Sequence, residues 1–258
     1  MKYYTVADTH GFLQPLLKAL DNAGYFKDKG EKRLVLCGDA LDRGGEAVAL
    51  TEFLLKEHDA GRLIYIKGNH EELLVDALTA IARGEIVEVA SEWSIHTHNG
   101  TWGTILQLSG MTEAMAIKYP LEAVARVRSS DYYDRLLPTC VDYYETERYV
   151  FCHGWLPTKH DQPKAYSTYS YDPNWREADY PEWRCSRWDN GIELALGYGI
   201  LESGKTVVCG HYRASYGHDK VCGFKTGRHD PFVSEGIIAL DATTVISNTV
   251  NCVVLEDS

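Results

Sequence analysis

The chain has 258 residues, of which 45% are hydrophobic, and its formal net charge at pH 7 is −11. This length can bury a full core, and because no Pro-rich or Ser-rich linker interrupts the composition we expect one domain over residues 1–258. The acidic balance argues against nucleic acid as the main partner, since nucleic-acid binders normally present a basic face, but it permits a phosphorylated substrate held by local cations.

The first part of the chain repeats a strand, a polar loop and a helix three times. Short apolar runs predict buried strands at Lys2–Val6, Leu34–Cys37 and Leu63–Ile66. Three β–α units in sequence predict a parallel sheet with right-handed crossovers. Because ligands collect beyond the carboxyl ends of such strands, the three polar loops should meet at one edge of the sheet.

These loops carry side chains that suit a metal and an anion better than a hydrophobic core. They are Asp8 and His10 in the first loop, Asp39, Asp42 and Arg43 in the second, and Asn69 and His70 in the third. Each motif alone has a plain structural alternative, such as a surface ion pair between Asp42 and Arg43. Their recurrence at one predicted edge favours a functional site, because loops that only connect elements need not repeat these residue types.

Residues 83–138 follow a different pattern of short helices and turns rich in Trp, Tyr and His. We interpret them as an inserted helical cap that partly covers the edge of the sheet. His96 and His98 within it have the spacing of metal ligands, but no carboxylate or cysteine accompanies them in a defined element. A solvated or aromatic-packed histidine pair is therefore favoured there.

Two later strands also end in a histidine beside a glycine. An antiparallel pair, Tyr143–Glu147 with Arg148–Cys152, leads to His153. The apolar run Thr206–Cys209 leads to His211. Since the chain already has three polar strand-end loops, both histidines are interpreted as metal ligands.

The remaining segments are a loop-rich stretch and a C-terminal pair of strands. Leu156–Gly204 places tryptophans among Arg176 and Arg184, an arrangement that cation–π packing on a surface lid would also give. Gly236–Leu240 and Val250–Leu255 alternate like strands with one buried face, and we expect them to be antiparallel strands that close a second sheet.

The cysteines and the N-terminal sequence favour a cytoplasmic protein. The seven cysteines show no C-x-x-C spacing, and Cys37, Cys152 and Cys209 lie in apolar strand-like runs, so we expect reduced, buried thiols. The N-terminal sequence lacks a secretory pattern, and no apolar run approaches the ~18 residues of a membrane span. We therefore expect neither secretion nor a membrane partner.

The strand-end residues together form a set of nitrogen and oxygen ligands. They are Asp8, His10, Asp39, Asn69, His153 and His211. Such a set is too large for one tetrahedral ion but suits two metal ions that share a carboxylate, as in two-metal phosphoester hydrolysis. Ligation without thiolate favours two divalent ions, Mn first, with Fe, Zn, Ni or Co as alternatives.

Five motifs resemble, in their order, those of the phosphoprotein phosphatase branch of the calcineurin-like metallophosphoesterases. They are Asp8-x-His10-Gly11, Gly38-Asp39-x-x-Asp42-Arg43-Gly44, Gly68-Asn69-His70-Glu71, His153-Gly154 and Gly210-His211. Within that branch, the short chain and the segment His98-Asn99-Gly100 resemble lambda-type phosphatases and symmetrical diadenosine tetraphosphatases of bacteria and phages. The resemblance implies an α/β fold, a four-layer αββα sandwich of two mixed sheets flanked by helices.

The resemblance also implies a division of the ligands between two ions. One ion would be held by the ligands of the first two loops, and the other by Asp39 with the ligands of the later loops. A hydroxide bridging the ions would attack phosphorus in line. His70 would protonate the leaving oxygen as general acid, with Asp42 holding its imidazole in orientation.

The substrate phosphate would be bound mainly by arginines. Arg43, with Asn69, would bind the phosphate oxygens. Arg187 is the expected second phosphate arginine, with Arg184 as the alternative. Trp155 stands where the family often has a second glycine, which leaves the substrate open.

Two substrate classes are compatible with this metal site. The first is phosphoserine or phosphothreonine in proteins, which would make the chain a serine/threonine phosphatase-like phosphomonoesterase. The alternative is a symmetrical dinucleoside polyphosphate, such as diadenosine tetraphosphate, or another small phosphorylated molecule. A catalytically inactive binding module is disfavoured, because no motif residue is missing.

Overall fold

The computed structural model describes residues 1–161 and 168–257 of the chain. Its strands are β1 (Lys2–Val6), β2 (Lys32–Cys37), β3 (Leu63–Ile66), β4 (Tyr144–Glu145), β5 (Tyr149–Phe151), β6 (Thr158–Asp161), β7 (Thr168–Tyr171), β8 (Thr206–Cys209), β9 (Phe232–Ser234), β10 (Ile237–Ala239) and β11 (Val253–Glu256). Its α-helices are α1 (Leu13–Asn22), α2 (Ala47–Asp59), α3 (Asn69–Ala82), α4 (Ile86–Ala90), α5 (Ile95–His98), α6 (Thr101–Ser109), α7 (Glu113–Lys118), α8 (Pro120–Arg128), α9 (Tyr180–Ser186), α10 (Gly191–Tyr198), α11 (Ala214–Cys222) and α12 (Thr244–Ser247). Short π-helical and 3-10 segments lie at Tyr132–Leu136, Leu137–Thr139 and Trp175–Glu177.

Two mixed sheets contain most of the strands. The first has the order β11-β1-β2-β3, in which β1, β2 and β3 are parallel and β11 is antiparallel to β1. The second has the order β4-β5-β8-β10-β9, with three parallel central strands and an antiparallel strand at each edge. Strands β6 and β7 form a separate antiparallel pair. The three predicted β–α units are therefore confirmed.

The two sheets pack face to face, with alternate residues of each strand on opposite faces. Tyr3 and Val35 of the first sheet meet Phe151 and Val208 of the second in a buried core between them. The alternate residues of the first sheet pack against α1, α2 and α3, and those of the second against α9 and α10. This arrangement confirms the predicted four-layer α/β sandwich of two mixed sheets flanked by helices.

Helices α4 to α8 form the segment predicted as a cap. Their buried side chains, among them Trp102, Ile105 and Val127, belong to the same core as the outer face of the first sheet. At its N-terminal end α6 reaches the edge that carries the polar loops, where Thr101 hydrogen-bonds to Asp42. The segment therefore packs on the first helical layer and contacts that edge through α6, and its role as a cap stays a prediction.

The expected arrangement of the C-terminal strands is wrong in part. β10 lies within the second sheet, where it is parallel to β8 and antiparallel to β9. β11 pairs antiparallel with β1 at the edge of the first sheet. Alternation identifies a strand with one buried face, but the pairing partner depends on contacts distant in sequence, which alternation does not specify.

Two predictions about the character of the chain can be compared with the structure. All seven cysteines are free, and Cys37, Cys152 and Cys209 are buried as predicted. The expectation of buried thiols is wrong for Cys185 and Cys222, which are exposed, and Cys140 and Cys252 are only partly buried. Across residues 1–161 and 168–257, no helix combines the length and the apolar character that crossing a membrane requires.

Candidate metal centre

The predicted ligands lie at the carboxyl ends of parallel strands from both sheets. Asp8 and His10 follow β1, Asp39 follows β2, Asn69 opens α3 after β3, His153 follows β5, and His211 follows β8. Only His211 among them is partly exposed, and the others are buried. The topology thus collects ligands that are far apart in the sequence.

Asp39 is the residue that joins two groups of ligand atoms. Its Oδ1 lies 3.3 Å from His153 Nε2, and its Oδ2 lies 3.9 Å from His10 Nε2 and 3.7 Å from His70 Nε2. Ligand atoms of Asp39, His153 and His211 lie within 4.8 Å of one another, and so do those of His10, Asp39 and His70. This is the position expected of a carboxylate shared by two metal ions.

Asn69 and Asp8 complete the predicted set. Asn69 Oδ1 lies 2.9 Å from His153 Nε2 and 3.1 Å from His211 Nδ1. Asp8 accepts a hydrogen bond from the backbone N–H of His211 at 3.0 Å, and its Oδ1 lies 4.0 Å from His10 Nε2. The structure therefore brings the predicted ligands together, and their roles as metal ligands stay a prediction.

Most of the motif residues are held in a strained backbone conformation. In the described part of the chain, eight non-glycine residues have a positive φ angle. The motif residues among them are Asp8, His10, Asp39, Asp42, Arg43 and His211, with φ between 47° and 73°. Such strain costs stability and is concentrated at functional sites, where the surrounding structure fixes the direction of a side chain.

Two motif glycines make room for the acidic ligands. A Cβ atom at Gly68 would overlap Asp39 Oδ1, and one at Gly210 would overlap Asp8 Oδ2. These glycines are therefore required by the close approach of the neighbouring carboxylates.

A buried pair, His70 with Asp42, lies beside the ligands. His70 Nδ1 is 2.7 Å from Asp42 Oδ2, and Asp42 accepts hydrogen bonds from the hydroxyls of Thr101 and Thr104 at 2.7 and 2.6 Å. Burial alone would lower the pKa of His70, but the charges of Asp39 and Asp42 outweigh burial and raise that pKa above its ordinary value. The imidazole is thus fixed in one orientation and favoured in its protonated form.

Arg43 lies next to both histidines of the first group. Its Nη1 is 3.0 Å from His10 Nε2, and its Nη2 is 3.2 Å from His70 Nε2. The residue is exposed, so an anion from solvent can reach it. This is the place where the resemblance puts a phosphate-binding guanidinium.

The second arginine expected at the phosphate is engaged elsewhere. Arg187 is buried, and its two terminal nitrogens pair with Glu72 and Asp142. Arg184 pairs with Asp76 at 2.7 Å. Among the described contacts neither guanidinium joins the ligand cluster, so the second phosphate arginine stays a prediction that this geometry does not favour.

Asp241 is an acidic residue of this edge that the sequence analysis missed. It follows β10 and is 9% exposed. Burial raises the pKa of Asp241 to about 6, and its charge adds to burial in raising the pKa of Asp8 well above the ordinary value. The signal that could have found it is strand direction, because the second residue after a parallel β10 lies at the ligand edge, as Asp8 does after β1.

The chemistry of the donors fits divalent metal ions. Two carboxylates, three imidazoles and an amide oxygen converge with no thiolate among the predicted ligands. Burying Asp8 and Asp39 as anions is unfavourable unless cations compensate them, and metal ions would do so.

The family model of the calcineurin-like phosphoesterases matches residues 1–226. This match covers most of the chain and includes every predicted ligand. The chain belongs to the calcineurin-like phosphoesterase family.

Two curated relatives of this calcineurin-like phosphoesterase are named as bis(5'-nucleosyl)-tetraphosphatases. The asymmetrical enzyme PrpE of Bacillus velezensis is 30% identical over 76 residues, which are 27% of this chain and 30% of the relative. The symmetrical enzyme of Pseudomonas fluorescens is 35% identical over 83 residues, which are 32% of this chain and 28% of the relative. The matched segments thus span less than a third of either relative.

Solved structures show the same fold at low sequence identity. A cold-active protein tyrosine phosphatase aligns with a TM-score of 0.54 and 15% identity, covering 99% of this chain and 73% of that one. The cold-active protein-tyrosine phosphatase of a psychrophilic Shewanella aligns with a TM-score of 0.50 and 14% identity, covering 99% and 75%. At such identities the likeness establishes the fold.

Proposed function

We propose that this calcineurin-like phosphoesterase hydrolyses phosphoesters with two divalent metal ions. The observation that carries the proposal is the position of Asp39 between two groups of ligand atoms. The ligands of one ion would be Asp8, His10 and Asp39, and those of the other Asp39, Asn69, His153 and His211. When bound, the ions would neutralise phosphate charge and activate the attacking water.

The protein groups beside the ligands would bind the phosphate and move a proton. Arg43 is exposed and close to His10, so its donors can bind phosphate oxygens, with Asn69 assisting. Protonated His70 would donate its proton to the leaving oxygen. Because Asp42 holds Nδ1 of His70, Nε2 is the atom that donates.

Manganese is the metal that we propose first, with Fe, Zn, Ni or Co as alternatives, because nitrogen and oxygen donors accept all of them.

We also propose one domain over residues 1–258 with a cap insertion at about 83–138, since the buried side chains of the cap share the core of the first helical layer. The free cysteines support a cytoplasmic location.

Two substrate classes are compatible with the site. Phosphoserine or phosphothreonine in a protein is the first, since one exposed phosphate-binding arginine suits a monoester. The names of the two curated relatives favour the second, a dinucleoside polyphosphate such as diadenosine tetraphosphate.

The test is to strip the metal, reload the protein with Mn²⁺, and compare phosphate release from a phosphothreonine peptide with cleavage of diadenosine tetraphosphate. Faster turnover of the peptide would support the phosphatase, and faster turnover of the dinucleotide would support the alternative. The absence of Mn²⁺-dependent hydrolysis of either substrate, and of p-nitrophenyl phosphate, would contradict the proposed function.

A further inference from the structure

The segment that follows β10 is strained and exposes apolar side chains beside the metal centre. Thr243 has a φ angle of 54°, which a β-branched residue rarely adopts, and its Oγ1 is buried without a hydrogen-bond partner. The next residue, Thr244, donates its hydroxyl to the backbone oxygen of Asp8 at 2.9 Å. Val245 and Ile246 are 50% and 77% exposed. The segment is therefore anchored to a predicted ligand and presents apolar surface to solvent.

These exposed residues line a cavity of about 530 Å³. The lining residues include Arg43, His98, Asn99, Thr243, Val245 and Ile246. This volume lies within the ~300–1,000 Å³ of small-molecule sites, and a mixed apolar and polar lining is typical of them. In the described lining Arg43 is the only residue with a permanent charge.

Arg43 connects the cavity to the metal centre. Its Nη2 lies 3.2 Å from His70 Nε2 and 3.4 Å from Asn99 Oδ1, while its Nη1 lies 3.0 Å from His10 Nε2. Nη2 of Arg43 thus contacts both the proposed proton donor His70 and Asn99 of the cavity lining. If a phosphate binds at Arg43 and His70 protonates the leaving group, the leaving group would be the part of the substrate next to the cavity.

We propose that this cavity, which we call the leaving-group cavity, selects phosphoesters whose leaving group carries a flat aromatic ring. The inference rests on the proposed function. The apolar side chains of Val245 and Ile246 would contact the face of the ring, and Asn99 and His98 could in addition hydrogen-bond to the edge of a nucleobase. Arg43 is the one permanent cation of the described lining, so the ring would supply most of the contacts in the cavity. A nucleobase and a phenyl ring share the required chemistry.

The test compares substrates that differ in the ring. For the Mn²⁺-loaded full chain, kcat/KM is measured for adenosine 5'-monophosphate against ribose 5-phosphate, and for O-phosphotyrosine against O-phosphoserine. Each ratio is compared between the wild type, Ile246→Ser and the control Val221→Ser, which removes another exposed β-branched side chain (67% exposed, against 77% for Ile246) from α11. Comparing ratios between variants cancels the difference in leaving-group acidity.

We expect Ile246→Ser to lower at least one ratio roughly tenfold, the effect of losing a few carbon atoms from an apolar contact, and Val221→Ser to change neither. If only the ratio for the nucleotide pair falls, the cavity binds a nucleobase. If only the ratio for the amino-acid pair falls, the cavity binds a phenyl ring. Unchanged ratios in an active enzyme would contradict the proposed role of the leaving-group cavity and leave the proposed function standing. A lack of Mn²⁺-dependent hydrolysis of every substrate would overturn the proposed function and this inference with it.

Discussion

The carboxylate of Glu71 accepts a hydrogen bond from the backbone N–H of Asp39 at 3.0 Å. The same carboxylate accepts the backbone N–H groups of Ala40 and Gly68 at 3.0 and 2.6 Å and the hydroxyl of Tyr65 at 2.7 Å. It thereby ties the loop after β2 to the first turn of α3. A buried anion surrounded by donors thus fixes the carboxylate that joins the two groups of ligand atoms.

We expect Glu71→Gln to destabilise the fold by roughly 2–4 kcal/mol, because the new amide group would face donors and leave some of them without an acceptor. Denaturant unfolding of the metal-free protein measures this loss. Glu52→Gln on α2, where the side chain is exposed, is the control and should change stability little. Equal stability of both variants would show that the hydrogen bonds of Glu71 contribute little.

We expect His70→Asn to retain bound metal and to lower turnover by roughly 10²–10⁴, the usual contribution of a general acid. Metal content by elemental analysis measures the first effect, and kcat with O-phosphoserine, whose alkoxide leaving group needs a proton, measures the second. The structure makes the first measurement decisive, because His70 also lies in one of the two groups that could hold an ion. Loss of metal would show that His70 is a ligand.

The sequence was sufficient to predict most of this site because parallel strands bring their carboxyl ends together. Asp8, Asp39 and His153 are distant in the chain, yet each is the second residue after a strand that periodicity identifies. Asp241 obeys the same rule but was missed, since its strand was taken to be antiparallel. The ion pairs of Arg187 could not be predicted either, because no local sequence pattern indicates which carboxylates an arginine contacts.

Asp42→Asn should move the alkaline limb of the pH profile of kcat to lower pH. The charges of Asp39 and Asp42 raise the pKa of His70 above the value that burial alone would give, so removing one charge lowers it. A reaction that needs protonated His70 loses rate as pH rises through that pKa, and the loss then begins at a lower pH. Thr101→Val, which removes only one hydrogen bond to Asp42, should shift the limb less. If the alkaline limb stays at the same pH in Asp42→Asn, the group whose titration limits turnover is not His70 paired with Asp42.

Glu145 should stabilise the fold in a pH-dependent manner. Hydrogen bonds and ion pairs with Arg176 and Lys205 lower the pKa of Glu145 from 4.5 to about 2. A carboxyl group with a depressed pKa contributes its full stability above the unfolded value of 4.5, and the contribution is lost as pH falls toward 2. We expect Glu145→Gln to unfold at a lower temperature than the wild type at pH 7, by an amount equivalent to about 1–2 kcal/mol. Thermal unfolding of the chelator-treated protein measures the difference in unfolding temperature, which should be smaller at pH 3 than at pH 7. A difference that does not change with pH would assign the effect to packing rather than to charge.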